Sequence, residues 1–350
     1  MAWSNKLTNR DQRLDEALRL AVAEIRDRGS EVTIDDLRVV RWQQTLLNRV
    51  FEVCVDKDPT QSTFFVKLAE TGMDSDLSRE VENMALFKAY FADSNQRFKV
   101  VDLVGFYPEV DALVVYGCDG ICLIDSMMAT SRWLARQVKR DTSNRMAFSL
   151  GEWLRSLESR TLGIGKPHEV RNRMIREADT ALERLADMGT SAPLRLIEAC
   201  RQLIRQIECL PECAVYLAHG DLHPGNVFVS ENGESTVTVI DLRLARPQFI
   251  GYDAMYFEHV LAQSWSLARY NPIAIRGVLD AFRLGYGRRI ETGSSVALAL
   301  RAHLVLASLV YFSTIARNGT PIRKFMSWID MRSLSSSYNA LLVKQSSKGL

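Results

Sequence analysis

The chain has 350 residues, with 44 Lys or Arg against 42 Asp or Glu, which gives a net charge of +2. This length is enough for a large core in two lobes, and the nearly balanced charge excludes a strongly basic nucleic-acid-binding protein and an acidic disordered chain. The six cysteines contain no Cys-x-x-Cys pair and no apolar run opens the sequence, so we expect a cytoplasmic protein with reduced thiols.

The first predicted element is an amphipathic helix over residues 9–28. Its apolar side chains recur at helical spacing on one face, at Leu14, Leu18, Val22 and Ile25. Thr33 and Asp36 then show the spacing of a capping box, which predicts a second, short helix. We interpret residues 1–37 as a helical extension that precedes the first lobe.

Three β-strands are predicted to begin the first lobe. The runs rich in β-branched and aromatic residues cover 39–43, 49–55 and 63–68. Lys67 lies in the third run, where a lysine taken alone is ordinarily a solvated edge residue. Residues 56–61 contain Asp-Pro and predict a turn, and residues 76–92 show the apolar stripe of a helix.

Two further predicted strands, 99–104 and 112–116, complete this lobe, and the boundary falls near residue 120. From there onward the pattern is mostly helical, with periodic segments at 147–159, 169–187, 192–208 and 252–340. The apolar segment 296–316 is long enough to span a bilayer. Arg301 interrupts it, so we expect a core helix and not a transmembrane segment.

Residues 219–226 read His-Gly-Asp-Leu-His-Pro-Gly-Asn and are the strongest functional signal in the chain. Asp221 supplies a carboxylate that can accept a proton from an attacking hydroxyl group. Asn226 offers an oxygen ligand of the kind that Mg²⁺ prefers, and a predicted strand over 236–240 leads to a second such ligand, Asp241. The spacing therefore indicates phosphoryl transfer, which depends on holding phosphate, metal and hydroxyl group in line.

This motif, followed by Asp253 twelve residues after Asp241, resembles the aminoglycoside phosphotransferase and choline kinase family, the small-molecule branch of the protein-kinase-like fold. By position, the resemblance implies that Asp221 is the catalytic base and that Asn226 and Asp241 bind Mg²⁺. It implies a structural role for Asp253, as an N-cap-like carboxylate that braces the catalytic loop. The resemblance covers most of the chain, but its motifs are strong only between residues 219 and 253.

The resemblance also implies nucleotide-binding residues in the first lobe. Lys67 matches the strand lysine that holds the α- and β-phosphates, and Glu80 on the following helix matches its ion-pair partner, with Glu82 as the alternative. Asn48 lies at a strand turn whose backbone can bind phosphate in place of a glycine-rich loop. The inter-lobe hinge, whose backbone pairs with adenine in such folds, corresponds to Val115, Tyr116 and Gly117.

Some residues near these motifs have more than one interpretation. Arg243 follows Leu242 after the metal-binding Asp241, where the family has an aromatic residue and then Gly or Glu. Its cation can weaken metal binding, reach a phosphate or point to solvent. His223 either contacts the substrate or a phosphate, or is simply accommodated by the loop. His219 is expected to stabilise the loop by a hydrogen bond to backbone atoms.

The expected fold is α+β. It is a two-lobed protein-kinase-like fold, with a small antiparallel N-lobe over 38–120, a hinge near 115–120 and a larger, mainly helical C-lobe over 121–350. The expected activity is the ATP- and Mg²⁺-dependent phosphorylation of a hydroxyl group on a small molecule. No nucleic-acid partner is expected, and the sequence leaves the oligomeric state open.

The charge of the C-terminal region bears on the acceptor. Residues 251–350 contain twelve Lys or Arg against five Asp or Glu, which favours a neutral or anionic acceptor such as a sugar or polyol. The alternatives are that these charges are solvated helix faces, with an aminoglycoside-type antibiotic or an amino alcohol as acceptor, or that the protein is a catalytically inactive kinase-like binding protein. A protein kinase is disfavoured because no Ala-Pro-Glu segment follows Asp241.

Overall fold

The structure is a computed structural model and describes most of the chain. The described residues are 11–28, 31–44, 48–56, 63–70, 76–93, 97–130, 137–188, 194–206, 213–230, 235–263, 272–288, 294–318, 324 and 327. They form two compact units. The first contains the chain up to Gly120 together with Phe228–Leu244, and the second contains Ile121–Val227 and the chain from Ala245 onward.

A five-stranded sheet forms the centre of the first unit. Its strands are, in chain order, β1 (Leu37–Gln44), β2 (Asn48–Val55), β3 (Thr63–Ala69), β5 (Leu103–Tyr107) and β6 (Ala112–Tyr116). Their spatial order is β1-β2-β3-β6-β5, and every neighbouring pair is antiparallel. The three strands predicted between residues 38 and 69 are all present, with slightly different ends.

Helix α1 (Gln12–Asp27) covers one face of this sheet. Alternate residues of β3, namely Phe64, Val66 and Leu68, are buried together with the apolar face of the helix. The guanidinium group of Arg13 donates hydrogen bonds to the carbonyl oxygens of Ala69 and Val110, which fixes the start of the helix to the sheet. The residues interpreted as a helical extension therefore form a layer of the first unit's own core.

A second group of strands in the first unit corrects the prediction of one strand over 99–104. Residues Phe98–Val100 form β4, which pairs in parallel with β10 (Thr236–Val239), while β5 begins only at Leu103. The chain changes partners at the interruption, because the N–H of Val101 donates to the carbonyl oxygen of Val239 in β10, whereas the carbonyl oxygen of Asp102 accepts a hydrogen bond from the N–H of Tyr116 in β6. Strand β9 (Val227–Ser230) is the other neighbour of β10, and α2 (Leu77–Phe91) packs near β4.

The second unit is mainly helical. Its described elements are β7 (Ile121–Cys122), α3 (Leu123–Thr130), α4 (Gln137–Arg160), α5 (Pro167–Asp187), α6 (Leu194–Arg205), β8 (Val215–Ala218), β11 (Arg246–Phe249), α7 (Tyr252–Gln263), α8 (Pro272–Tyr286) and α9 (Ser295–Asn318). Helices α4 and α8 can approach closely because Gly151 has no Cβ atom. A Cβ atom at this position would lie 2.3 Å from the carbonyl oxygen of Phe282. The part of the predicted helical region beyond residue 318 lies almost entirely outside the described residues.

Helix α9 is the apolar segment that raised the question of a membrane span. Ser295–Arg317 is the one candidate among the described residues, by length and composition, and 61% of its most apolar window is buried. Its buried residues, among them Ala302, Val305 and Leu309, pack in one cluster with residues of α5 and α6. A core helix was predicted here, and this packing is what such a helix requires.

A charged cluster links α5, β11 and α9. The two terminal guanidinium nitrogens of Arg246, Nη1 and Nη2, donate to Glu177 at 2.5 and 3.0 Å, and His303 Nε2 lies 3.0 Å from Glu177 Oε2. Burial alone would raise the pKa of Glu177, but His303 and Arg246 outweigh it and lower this pKa to about 2. The carboxylate therefore stabilises the folded state above its usual pKa of 4.5, and this contribution is lost as the pH falls toward 2.

We expect Glu177→Gln to remove part of the acid sensitivity of the protein. Because Glu177 is 31% exposed, its contribution at neutral pH should be only about 1–2 kcal/mol. Urea unfolding at pH 7, 5, 4 and 3 should show a shallower loss of unfolding free energy below pH 4.5 in this variant than in the unsubstituted protein. Glu183→Gln, at an exposed position of α5, is the control, and equal slopes for all three proteins would contradict the prediction.

Candidate active site

Three residues far apart in the sequence meet in the first unit. Lys67 on β3 lies with its Nζ atom 2.6 Å from Glu80 Oε1 and 3.2 Å from Asp241 Oδ1. Lys67 projects from the sheet face opposite α1, because its neighbours Val66 and Leu68 point into the α1 core. Glu80, in the first turn of α2, is the partner of Lys67, whereas Glu82 is exposed.

The electrostatics keep this lysine charged. Burial by itself would lower the pKa of Lys67, but the negative charges of Asp241 and Glu80 outweigh burial and raise it above the usual value. The side chain of Glu80 is only 2% exposed, so its carboxylate depends on the ammonium group for neutralisation. The arrangement holds one cation between a buried carboxylate and a more exposed one, Asp241.

The backbone of Asp241 has a conformation that is rare for a residue with a side chain. Its φ is +62°, in the left-handed region, and such strain is concentrated at functional sites. The turn that follows is fixed to α2, because Asn83 Nδ2 donates a 2.8 Å buried hydrogen bond to the carbonyl oxygen of Leu242. Burial raises the pKa of Glu80, and the charges of Lys67 and the half-buried Arg243 oppose that rise. Arg243 therefore lies near the cluster and not in open solvent.

The predicted hinge residues have different orientations. Val115 lies opposite Phe65 and shares the sheet face of Lys67, whereas Tyr116 lies opposite Phe64. The rings of Tyr116 and Phe64 are 5.3 Å apart, and both belong to the core that α1 covers. Of these two side chains, only Val115 is therefore on the side of the sheet where Lys67 projects.

The backbone amide groups of the hinge already have partners. The N–H of Tyr116 donates to the carbonyl oxygen of Asp102 at 2.8 Å, and the N–H of Gly117 donates to that of Thr63 at 2.6 Å. The N–H groups of Tyr116 and Gly117 are therefore engaged within the first unit. Asn48 is buried at the start of β2, and residues 45–47 of the predicted phosphate turn lie outside the described residues.

In the second unit, Asp253 fixes the loop 219–226. Its Oδ2 atom accepts hydrogen bonds from the N–H of His219 at 2.7 Å and the hydroxyl group of Tyr216 at 2.9 Å, and its Oδ1 accepts one from the N–H of Gly220 at 2.9 Å. Gly220 has a φ of +84°, which a glycine adopts without strain. Asp253 lies inside the first turn of α7 and not at its N-cap, so its carboxylate serves the loop and not its own helix.

Asp221, the predicted base, has well-defined neighbours in this unit. Its Oδ1 atom accepts a 2.5 Å hydrogen bond from the hydroxyl group of Tyr256 on α7. Its N–H donates to His219 Nδ1 at 3.3 Å, so His219 contacts the loop backbone as predicted. Tyr256 was not predicted from the sequence, because it lies 35 residues from Asp221 and the spacing along α7 does not indicate which of its polar residues reaches the loop.

Asn226 is oriented so that its oxygen can serve as a ligand. Its Nδ2 atom donates to the backbone carbonyl of Asp221 at 3.0 Å, which leaves Oδ1 as the atom that can coordinate a cation. His223 Nδ1 accepts the N–H of Gly225 at 3.0 Å, so a neutral His223 carries its proton on Nε2. The Nδ1 atom of His223 therefore stabilises the loop conformation, and only its Nε2 atom is left for another contact.

The predicted site residues thus form two groups, one in each unit. Lys67, Glu80 and Asp241 meet in the first, while Asp221 and Asn226 lie on one braced loop in the second. Among the described residues there is no cluster of three or more His, Cys, Asp or Glu side chains that could hold a metal ion.

Comparison with protein families identifies the chain's relatives. Residues 43–291 match the family model described as "Phosphotransferase enzyme family". No curated protein sequence matches the chain.

Solved structures share its fold. An aminoglycoside 2′-phosphotransferase of type IIIa in complex with GDP has a TM-score of 0.58 and 13% identity, and the match covers 93% of this chain and 99% of that one. The Plasmodium vivax ethanolamine kinase has a TM-score of 0.55 and 12% identity, with 95% and 90% covered. A glucosamine kinase in complex with glucosamine, ADP and phosphate has a TM-score of 0.56 and 14% identity, with 94% and 85% covered. These similarities confirm the two-lobed protein-kinase-like fold.

Proposed function

Because the chain belongs to the phosphotransferase enzyme family, we propose that it transfers the γ-phosphoryl group of ATP to a hydroxyl group of a small molecule, with Mg²⁺ as cofactor. The observation that carries the proposal is the position of Lys67, which is held by Glu80 at 2.6 Å and Asp241 at 3.2 Å. In kinase chemistry a lysine held in this way contacts the phosphates of ATP.

Asp221 is the proposed base. Its carboxylate is positioned by a loop whose backbone is fixed by the buried Asp253, and its side chain is partly exposed, as a residue that meets a diffusing acceptor must be. It accepts the proton of the acceptor hydroxyl group while the oxygen attacks the γ-phosphorus. A preorganised loop suits a reaction that depends chiefly on positioning.

Asn226 and Asp241 are the proposed Mg²⁺ ligands. The side-chain oxygen of Asn226, left free of the bond that its Nδ2 donates, and the carboxylate of Asp241 are the hard oxygen atoms that Mg²⁺ prefers. Bound Mg²⁺ neutralises phosphate charge in such sites. Arg243, half-buried near Glu80, is then a further cation available to a phosphate.

A neutral or anionic sugar-like or polyol-like acceptor is proposed. The support is the excess of basic residues after residue 251, because a site for polycations needs carboxylates. Part of that excess is engaged, since Arg276, Arg283, Arg288 and Arg301 are ion-paired.

An amino sugar or amino alcohol is the second candidate acceptor. The observation that favours it is the set of structural neighbours, which includes an ethanolamine kinase, a choline kinase from Cryptosporidium parvum and a glucosamine kinase. An aminoglycoside acceptor belongs to the same alternative, since aminoglycoside phosphotransferases are also neighbours.

A screen of acceptors tests the proposal and separates these classes. ADP release from MgATP should be measured with neutral sugars, polyols and sugar phosphates in one set, and with amino sugars, amino alcohols and aminoglycosides in the other. We expect acceptor-dependent ADP release in the first set, lost on chelation of Mg²⁺. Turnover only in the second set would overturn the acceptor proposal. The absence of both turnover and Mg²⁺-dependent nucleotide binding would favour an inactive binding protein.

A further inference from the structure

The two carboxylate oxygens of Asp221 have different surroundings. Oδ1 accepts the 2.5 Å hydrogen bond from the hydroxyl group of Tyr256. Near Oδ2 lie Asn226 Nδ2 at 3.5 Å and His223 Nε2 at 3.8 Å, both too distant for a strong hydrogen bond. One oxygen is therefore engaged by a good donor, and the other has only weak contacts within its own unit.

Helix α7 is suited to hold Oδ1 in place. Asp253, one turn before Tyr256, fixes the loop backbone through two N–H groups, so the same helix face binds both the backbone and the carboxylate of the loop. The ring of Tyr256 stacks on Tyr252, with centroids 6.3 Å apart, and Tyr252 is itself buried. The hydroxyl group is thus presented by a side chain whose orientation is fixed by packing.

We propose that Tyr256 is a positioning residue that engages Oδ1 of Asp221 and thereby assigns Oδ2 as the atom that accepts the proton. The inference rests on the proposed function, since it concerns the base of that reaction. In the step, the acceptor O–H proton moves to Oδ2, the acceptor oxygen forms a bond to the γ-phosphorus, and the bond from that phosphorus to the bridging oxygen breaks. ADP leaves with the electron pair of that bond.

Tyr256 remains a donor under all conditions in which the reaction would run. Burial raises the pKa of Tyr256, and the negative charge of Asp221 raises it further. The phenol therefore stays protonated at neutral and mildly alkaline pH. Without it, the carboxylate can rotate and either oxygen can face away from the acceptor, which lowers the fraction of productive complexes.

Tyr256→Phe tests the proposal by separating kcat from KM. Loss of a hydrogen bond to a charged group should lower kcat about 10- to 100-fold, while the KM values for ATP and acceptor stay within about twofold, because Tyr256 is not proposed to touch either substrate. Tyr286→Phe is the matched control, since Tyr286 also donates to a carboxylate of the same unit, that of the buried Glu158, at 2.8 Å. It should lose stability but keep its kcat.

Two further measurements distinguish positioning from a general structural role. In an Asp221→Asn background, Tyr256→Phe should cause no additional loss of kcat, whereas an equal loss in both backgrounds would overturn the proposal. In protein labelled with ¹³C at the tyrosine ζ carbon, the signal that Tyr256→Phe removes should shift in Asp221→Ala, which lacks the acceptor. An unmoved signal would show that the hydrogen bond is absent.

The outcomes also separate this inference from the proposed function. An active enzyme whose Tyr256→Phe variant keeps full kcat would refute the role of Tyr256 and leave the phosphotransferase proposal intact. An unsubstituted protein without turnover on any acceptor would refute the proposed function, and the inference with it, although the NMR shift would still report the contact.

Discussion

Replacement of Asp221 by asparagine is expected to lower kcat by about 10³-fold, within the range that general-base catalysis contributes. The amide keeps the size of the carboxylate and can accept the Tyr256 hydrogen bond, but it cannot take the acceptor proton. The loop should keep its shape, because Asp253 holds the N–H groups of His219 and Gly220, and Asn226 donates to the backbone carbonyl of residue 221. Steady-state kinetics should therefore show a fall in kcat with little change in the KM for ATP.

Two measurements distinguish a loss of the base from a folding defect. The thermal shift produced by a non-hydrolysable MgATP analogue should be the same in Asp221→Asn as in the unsubstituted protein, because Asp221 is not proposed to bind the nucleotide. Asp187→Asn removes an exposed carboxylate from the same unit and should leave kcat unchanged. Full turnover in Asp221→Asn would contradict its assignment as the base.

The sequence was most informative where function depends on short spacing. Residues 219–226 form one local loop, so their types and their spacing along the chain are enough to predict the candidate base and one candidate ligand. The contact of Lys67 with Glu80 was expected from the family resemblance, which left Glu82 as the alternative, and the structure shows Glu80 as the partner. These predictions required no knowledge of long-range packing.

Features that depend on long-range packing were missed. Tyr256 contacts Asp221 across 35 residues, and nothing in the spacing of α7 indicates which of its polar residues reaches the loop. The same holds for the interruption at Asp102, where the chain changes partners from β10 to β6, and for the facing of Tyr116 toward α1. The N-terminal helix was predicted, but only the structure shows its apolar face covering the sheet.

Lys67→Met is expected to reduce kcat/KM for ATP by about 10²- to 10³-fold, the scale of a lost electrostatic contact with a reacting phosphate. It should also destabilise the protein, because Glu80 is left buried and uncompensated at 2% exposure, and breaking a buried pair costs about 3–5 kcal/mol. Lys88→Met is the control, since Lys88 is a lysine of the same unit paired at 2.7 Å with Asp102 in an exposed position. It should change stability by about 1 kcal/mol or less.

The double variant Lys67→Met with Glu80→Gln separates the two effects of the lysine. Neutralising Glu80 removes the buried charge, so urea unfolding should recover much of the lost stability. Activity should stay low, because neither substitution restores a cation beside Asp241 or at the phosphates. Recovery of activity together with stability would show that Lys67 serves only to neutralise Glu80, and the phosphate-binding role would then be wrong. Stability without activity would instead place the lysine in the chemistry, since a purely structural ion pair is replaceable by two neutral groups of similar size.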